Sequence, residues 1–237
     1  MRVYYDLHIH SCLSPCGADD MTPNNLVNMA YLAGLQVIAV SDHNTTRNVP
    51  SAIRAGQRMG VLVVPAMELT TKEDIHVLCL LPSEEKAEAL RQYVYARLPQ
   101  RKNRPRAFGH QYVMNEYDEI LEEEPQLLSF GADIGIYEVK ALLERYDGLA
   151  VPAHIDRPSY SLLGVMGLVD PAMGFSVYET TIGCDRQALM EQYHFTGGFL
   201  SSSDAHDLTA IRDAERWLEV PALTAAAVIE AVKSLGY

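Results

Sequence analysis

The sequence predicts an α/β protein of the β/α-barrel kind, and three observations predict it. Short, nearly continuous apolar runs alternate with amphipathic helical stretches, the pattern of parallel strands covered on both faces. His, Asp and Glu residues recur at or just past the ends of those runs, where a β/α barrel builds its active face. The 237 residues suffice for one sizeable core, so 1–237 reads as a single domain.

Residues 3–10 form the first strand. His8 and His10 are two apart, so in an extended strand both imidazoles share a face and can grip one ion; a pair of half-buried strand histidines is the alternative. A loop rich in Pro, Gly and Asp follows. Thr22 then caps a helix with Pro23 in its first position, and Gly34 ends it. Residues 37–40 are a buried strand delivering Ser41-Asp42-His43. A helix over 50–59 stops at Gly60, and the strand 61–64 leads to Glu68. Another strand, 75–81, carries His76 near its start. Ser83 opens a polar helix whose Glu84 and Glu85 suit the helix dipole.

The segment 97–130 breaks the rhythm. A basic cluster (Arg97, Arg101, Lys102, Arg104, Arg106) precedes an acidic one (Glu119, Glu122, Glu123, Glu124), with too few apolar residues for a separate core. It reads as an insertion or lid over the active face. His110 lies within it, as a substrate contact or general acid, or as an ordinary loop histidine. Alternation resumes with a helix over 137–146, the strand 149–153 ending at His154, a strand over 175–179, and a strand over 199–202 delivering Asp204 and His206. An Ala-rich helix, 223–234, closes the pattern. Trp217 reads as core strand and His194 as structural.

A net charge of −12 argues against a general nucleic-acid coat, because most of the surface would repel phosphates; a local basic mouth stays compatible. No signal peptide and no membrane-length apolar run is visible. The four cysteines lack the spacing of a disulfide framework, which suits reduced thiols and a cytoplasmic setting. The run Ser201-Ser202-Ser203-Asp204-Ala205-His206 does not read as a catalytic triad, whose members meet across a fold.

Eight N/O ligand candidates (His8, His10, His43, Glu68, His76, His154, Asp204 and His206) at successive strand ends suit a multinuclear metal site. In order, Asp6-Leu7-His8-Ile9-His10-Ser11, Ser41-Asp42-His43-Asn44, Glu68, His76, Pro152-Ala153-His154 and Ser203-Asp204-Ala205-His206 resemble the motifs of the polymerase and histidinol phosphatase (PHP) superfamily. The resemblance runs from about residue 3 to 207. It implies a distorted (β/α)7 barrel and a phosphoesterase that hydrolyses a phosphomonoester, nucleotide or oligonucleotide end with metal-activated hydroxide.

The resemblance also implies how the ligands divide. His8, His10, Glu68 and Asp204 would hold one ion. A second would share Glu68 with His76 and His154. A third would take His43, His206 and an acid or His from the loop after the first strand. The family's positions for that loop ligand are here Pro15 and Cys16, so Asp20 is the favoured substitute, with Asp19 and Cys16 as alternatives. Bridging carboxylate and imidazole donors suit two or three Zn, Mn or Fe ions over Ca or Mg.

Asp42 and Arg157 complete the catalytic set. Asp42, like Asp6, would orient imidazoles or else cap backbone amides. Arg157 would bind a substrate phosphate, or else form a surface ion pair. The expected partner is a small anionic phosphoester, a nucleotide or a short oligonucleotide, and not a membrane. An amidohydrolase cleaving C–N bonds and a non-catalytic, metal-stabilised module are the other readings; the first usually bridges its metals with a carboxylated Lys, where this sequence has Glu68.

Overall fold

The computed structural model describes residues 1–236. In chain order the elements are β1 (Arg2–Ile9), α1 (Pro23–Leu32), β2 (Val37–Val40), α2 (Val49–Met59), β3 (Leu62–Thr70), β4 (His76–Leu80), α3 (Glu84–Tyr95), α4 (Pro105–Phe108), β5 (Tyr112–Met114), β6 (Ile120–Glu123), α5 (Ile136–Glu144), β7 (Leu149–Pro152), α6 (Leu162–Met166), β8 (Val177–Glu179), α7 (Arg186–Tyr193), β9 (Gly198–Leu200), β10 (Trp217–Glu219) and α8 (Ala225–Ser234). Helix starts follow local chemistry: Thr22, Ser83 and Thr224 each accept an amide of the first turn through the side-chain oxygen.

The architecture is a mixed α/β fold around a curled sheet. One ladder runs β10-β1-β2-β3-β4-β7, and β8 and β9 form a separate parallel pair. Single backbone links carry the curl onward. Ile155 N donates to the Glu179 carbonyl at 2.9 Å, and His10 N donates to the Ala205 carbonyl at 2.9 Å. The sheet is not wholly parallel, which corrects the expectation from the apolar runs. β4 pairs antiparallel with both β3 and β7, and β10 antiparallel with β1. Residues 71–75 are too few for a crossover, so β3 and β4 form a hairpin.

Alternation sorts the strand residues. Val3, Tyr5, Leu7, Val37, Ala39, Val64, Ala66, Leu78, Leu80, Val151, Val177 and Leu200 face inward and pack with Val228, Ile229 and Val232 of α8. Ile38, Val40 and Val63 face outward against α1 and α2. Met67, Leu69, Val77 and Cys79 face outward against α3 and α5. Continuing the inward columns gives Glu68 and Glu179 two residues on and His43 four residues past Ala39, and running back along the reversed β4 gives His76. In β1 the register slips between Asp6 and Ile9. That one-residue bulge changes which face the alternation serves, and it lets His8 and His10 follow Leu7 into the interior.

The 97–130 segment carries α4 and the β5–β6 hairpin, and it lies against the main body. Val113 and Leu128 join the core, Tyr112 N donates to the Cys12 carbonyl at 3.0 Å, and Ser51 Oγ donates to the Met114 carbonyl at 2.7 Å. Trp217 is not core: it sits on edge strand β10, 44% exposed, beneath the Arg2 guanidinium at 3.9 Å. Among the described residues no helix is long and apolar enough to cross a membrane.

Candidate metal centre

Five imidazoles surround one buried carboxylate at the open end of the sheet. Glu68 Oε1 lies 3.3 Å from His8 Nε2, 3.0 Å from His76 Nδ1 and 3.1 Å from His154 Nε2. Its Oε2 lies 3.4 Å from His10 Nε2 and 3.0 Å from His43 Nδ1. Asp204 Oδ1 sits 3.3 Å from His8 Nε2 and 3.2 Å from His10 Nε2. Three donor groups fall within 4.8 Å internally: His8, His10 and Asp204; His43, Glu68 and His76; and His10, Cys16, His43 and His206.

The neighbours of this cluster fix its tautomers. His8 Nδ1 donates to Glu179 Oε2 at 2.7 Å. Ser14 Oγ donates to Asp42 Oδ1 at 2.7 Å and therefore accepts from His10 Nδ1 at 2.9 Å and from His43 N at 3.2 Å. Both Nδ1 atoms thus carry protons, so in the neutral rings the lone pairs of His8 Nε2 and His10 Nε2 face each other 3.3 Å apart. Two such lone pairs repel unless positive charge lies between or beside them. Among the described residues, His43 Nδ1, His154 Nδ1, Glu179 Oε1 and Asp204 Oδ1 are also buried without a hydrogen-bond partner. A donor set of this kind fits divalent transition-metal ions.

The titration behaviour points the same way. Burial opposes ionisation of Glu68, yet His76, His8 and His43 hold its carboxyl well below the usual range. Burial likewise opposes the charged form of Asp204, and His8 and His10 hold it well below. Burial would lower His8, but Glu179, Asp204 and Glu68 keep it well above its ordinary value. His10, also opposed by burial, is held up to about 9 by the neighbouring Asp204 and Glu68 carboxylates. His76 is pushed down to about 4, chiefly by burial. Cys16 is brought down to about 5: burial opposes the thiolate, and contacts with His206 and His43 outweigh it. Without ions the site takes up protons, because its carboxylates need cationic partners.

Backbone conformation contributes to the placement. His154 (φ 32°), Asp204 (φ 51°) and Asn44 (φ 54°) occupy the left-handed region that non-glycine residues seldom adopt, and all three lie at or beside the cluster. Asn44 is held there by donating Nδ2 to the Leu128 carbonyl at 2.7 Å and accepting Thr70 N at 2.9 Å.

The structure thus brings His8, His10, His43, Glu68, His76, His154, Asp204 and His206 together. Asp20 stands apart: it is exposed, its carbonyl accepts Asn25 Nδ2 at 3.0 Å, and the loop residue within reach of His10, His43 and His206 is Cys16. The loop 11–17 folds back on itself, with Ser14 N donating to the Ser11 carbonyl and Gly17 N to the Ser14 carbonyl, so Cys16, itself exposed, comes beside His10, His43 and His206 before the acidic pair is reached. Asp42 touches no imidazole and acts on His10 through Ser14, while also accepting Ser11 N at 2.7 Å. Asp6 caps the amides of His8 and Ser203 at 3.3 and 3.1 Å. His110 is not at the cluster. It is 41% exposed, pairs with Glu123 at 2.8 Å and stacks on Tyr112.

Arg157 reaches the cluster from the loop after β7, with Nη1 2.6 Å from Asp204 Oδ2. It lines a cavity of about 200 Å³ with His154, Thr181, Ser203, Asp204 and Arg212. The basic segment does not line that cavity. Arg97 lies over the Tyr93 ring, Arg101 over Phe130 and Arg104 over Phe108. Sequence reasoning missed Glu179 and Ser14. Glu179 ends a strand in an acid, the signal that singled out Glu68, and it could have been found by the same rule.

The profile of the PHP domain matches residues 6–156. The chain belongs to the PHP domain family. Among curated relatives, a 5′-3′ exoribonuclease of Haemophilus influenzae is 33% identical over 83 residues, which is 34% of this chain and 29% of the relative. A phosphoribosyl 1,2-cyclic phosphate 1,2-diphosphodiesterase of Eggerthella lenta is 34% identical over 90 residues, 36% of this chain and 33% of the relative. Among solved structures, the lesion-specific endonuclease PfuEndoQ of Pyrococcus furiosus superposes with a TM-score of 0.72 at 21% identity, covering 99% of this chain and 56% of that one. This PHP chain therefore spans about a third of the length of the two curated relatives and a little over half of the solved one.

Proposed function

We propose that this PHP protein is a metal-dependent phosphoesterase acting on a phosphomonoester, nucleotide or oligonucleotide end. One observation carries the reading: a single buried carboxylate, Glu68, sits among five imidazoles with the Arg157 guanidinium at the rim beside Asp204. The relatives named as a 5′-3′ exoribonuclease and a phosphoribosyl 1,2-cyclic phosphate 1,2-diphosphodiesterase support the same class.

We read the curled sheet with its β8–β9 pair as a distorted seven-stranded β/α barrel and the chain as one domain with 97–130 inserted. His8, His10 and Asp204 would hold one ion, Glu68 with His76 and His154 a second, and Cys16, His43 and His206 a third. Bound divalent ions supply Lewis acidity toward a phosphoryl oxygen and acidify water near neutral pH. The chain's own residues do the remaining work. Glu179 and Ser14 keep the Nδ1 protons of His8 and His10, so each ring offers Nε2 as a donor. Arg157 exchanges Asp204 Oδ2 for a substrate oxygen, which turns an internal ion pair into a phosphate clamp at the mouth. Glu68, His8 and His10 are buried, so a phosphate entering from the Arg157 side meets them with little competing water.

The test is hydrolysis by the metal-reconstituted protein of a panel of sugar phosphates, nucleotides, histidinol phosphate and short oligonucleotides. Phosphate or nucleotide release that chelation abolishes and metal restores is expected. A fully loaded protein that cleaves none of them would sink the proposal.

A further inference from the structure

The loop after β7 carries an aromatic ring that the chemistry above does not use. Tyr160 stacks on His76, with ring centroids 5.0 Å apart and planes 27° apart. It nevertheless stays 52% exposed, so much of the side chain is open to solvent. Its backbone lies at φ 54°, in the left-handed region that bulky side chains rarely adopt. Neighbouring bonds hold it there: His76 N donates to the Tyr160 carbonyl at 3.0 Å, and Ser161 Oγ donates to the Arg157 carbonyl at 2.5 Å. A bulky residue kept in an unfavourable conformation at the rim of a site calls for a use, since an ordinary turn residue would fit more easily.

The same turn supplies Arg157, paired with Asp204 at the cluster. Three residues of chain span at most about 11 Å, the scale of a mononucleotide, so a cation for phosphate and a flat open ring belong to one short turn. We propose that Tyr160 is a nucleobase platform and that the substrate carries a base: a nucleotide or a nucleic-acid end, in preference to a base-free sugar phosphate. The proposal rests on the phosphoesterase reading. It supplies stacking without a hydrogen-bond code, so it accepts all bases.

The experiment compares AMP with ribose 5-phosphate, which share the phosphate and sugar and differ by the base, using the metal-loaded protein and its Tyr160→Ala and Tyr160→Trp variants. For wild type, AMP should be the better substrate. Tyr160→Ala should raise KM for AMP roughly 5- to 100-fold with little change for ribose 5-phosphate, and Tyr160→Trp should keep the preference. Metal content by elemental analysis should be the same in all three. Equal losses for both substrates, or a lower metal content in Tyr160→Ala, would show that Tyr160 merely props His76 and would overturn the platform. Calorimetric titration of both compounds into the same proteins separates the two readings. If the loaded protein cleaves nothing on the whole panel above but AMP still binds more tightly through Tyr160, the phosphoesterase reading fails and the platform stands. If Tyr160→Ala leaves AMP binding unchanged, the platform fails.

Discussion

Glu179 shows how much a single side chain decides at this centre. Its Oε2 holds the His8 Nδ1 proton and also accepts the His154 amide at 3.3 Å, so it positions two residues of the cluster at once. Glu179→Gln can present an NH₂ to His8, which favours the wrong tautomer; affinity for the ion at His8 should fall about 10- to 100-fold, read by competition with a chromophoric chelator. Cys16 makes a different kind of prediction. A cobalt-loaded protein should show thiolate-to-cobalt charge-transfer absorption in the near ultraviolet, which Cys16→Ala removes and Asp20→Asn leaves; a spectrum unmoved by Cys16→Ala would exclude the thiol. Arg157→Ala should cost about 2–3 kcal/mol in kcat/KM for a phosphoester with metal content unchanged. An unaltered kcat/KM would return Arg157 to the role of an ion-pair partner. Most of these side chains were legible in the sequence, because strand-end His, Asp and Glu stand out against apolar runs. Cys16, and not Asp20, lies within reach of His10, His43 and His206, because the loop's fold, and not its composition, decides which side chain faces them.

At the scale of elements, the capped helices were legible and the strand directions were not. Thr22 and Ser83 cap where their chemistry says they should, and α1 runs from Pro23 as expected. An apolar run has no direction written in it, so β4 read as one more parallel strand. Its reversal explains why His76 comes at the start of a strand while Glu68 and Glu179 come late: the open end of the sheet is the same place for both. The β1 bulge was equally hidden, since two histidines two apart share a face whichever face that is. The insertion meets the thiol loop at Gly109, where φ is 99° and an added Cβ would lie 2.0 Å from the Pro15 carbonyl oxygen. Gly109→Ala should therefore push the 14–17 loop away and cost about 1–3 kcal/mol of stability. If Cys16 holds an ion with His43 and His206, that ion should be lost before the others. Full retention of all ions in that variant, with an unchanged Tm, would show that the insertion does not brace the loop.

For the molecule as a whole, the cluster sets how stability follows pH. Glu68 and Asp204 are held below the usual carboxylate range, so they stabilise the fold above about pH 4 and that contribution is lost as the pH falls. His10, held up to about 9, and His8 and His43, held well above their ordinary value, contribute fully below about pH 6.5; that contribution drains away as the pH rises to about 9 and beyond. His76, pushed down to about 4, opposes them: its protonation between about pH 6.5 and 4 favours the unfolded chain. The metal-free Tm should therefore be highest near about pH 6 and fall toward pH 9. With ions bound the histidines are already deprotonated, so the loaded Tm should hold or rise over that same interval. Calorimetry with and without chelator reads the difference, and parallel curves would contradict it. A last consequence comes from the link between β1 and the segment after β9. Asp6 meets Ser203 across 197 positions of sequence, and Asp204 joins His8 and His10 there. During synthesis the first histidines emerge long before their acidic partner, so a nascent chain holds an unfinished cage. Capture of an ion at that first site should then come late and mark the chain as folded, a timing set by topology and not by affinity.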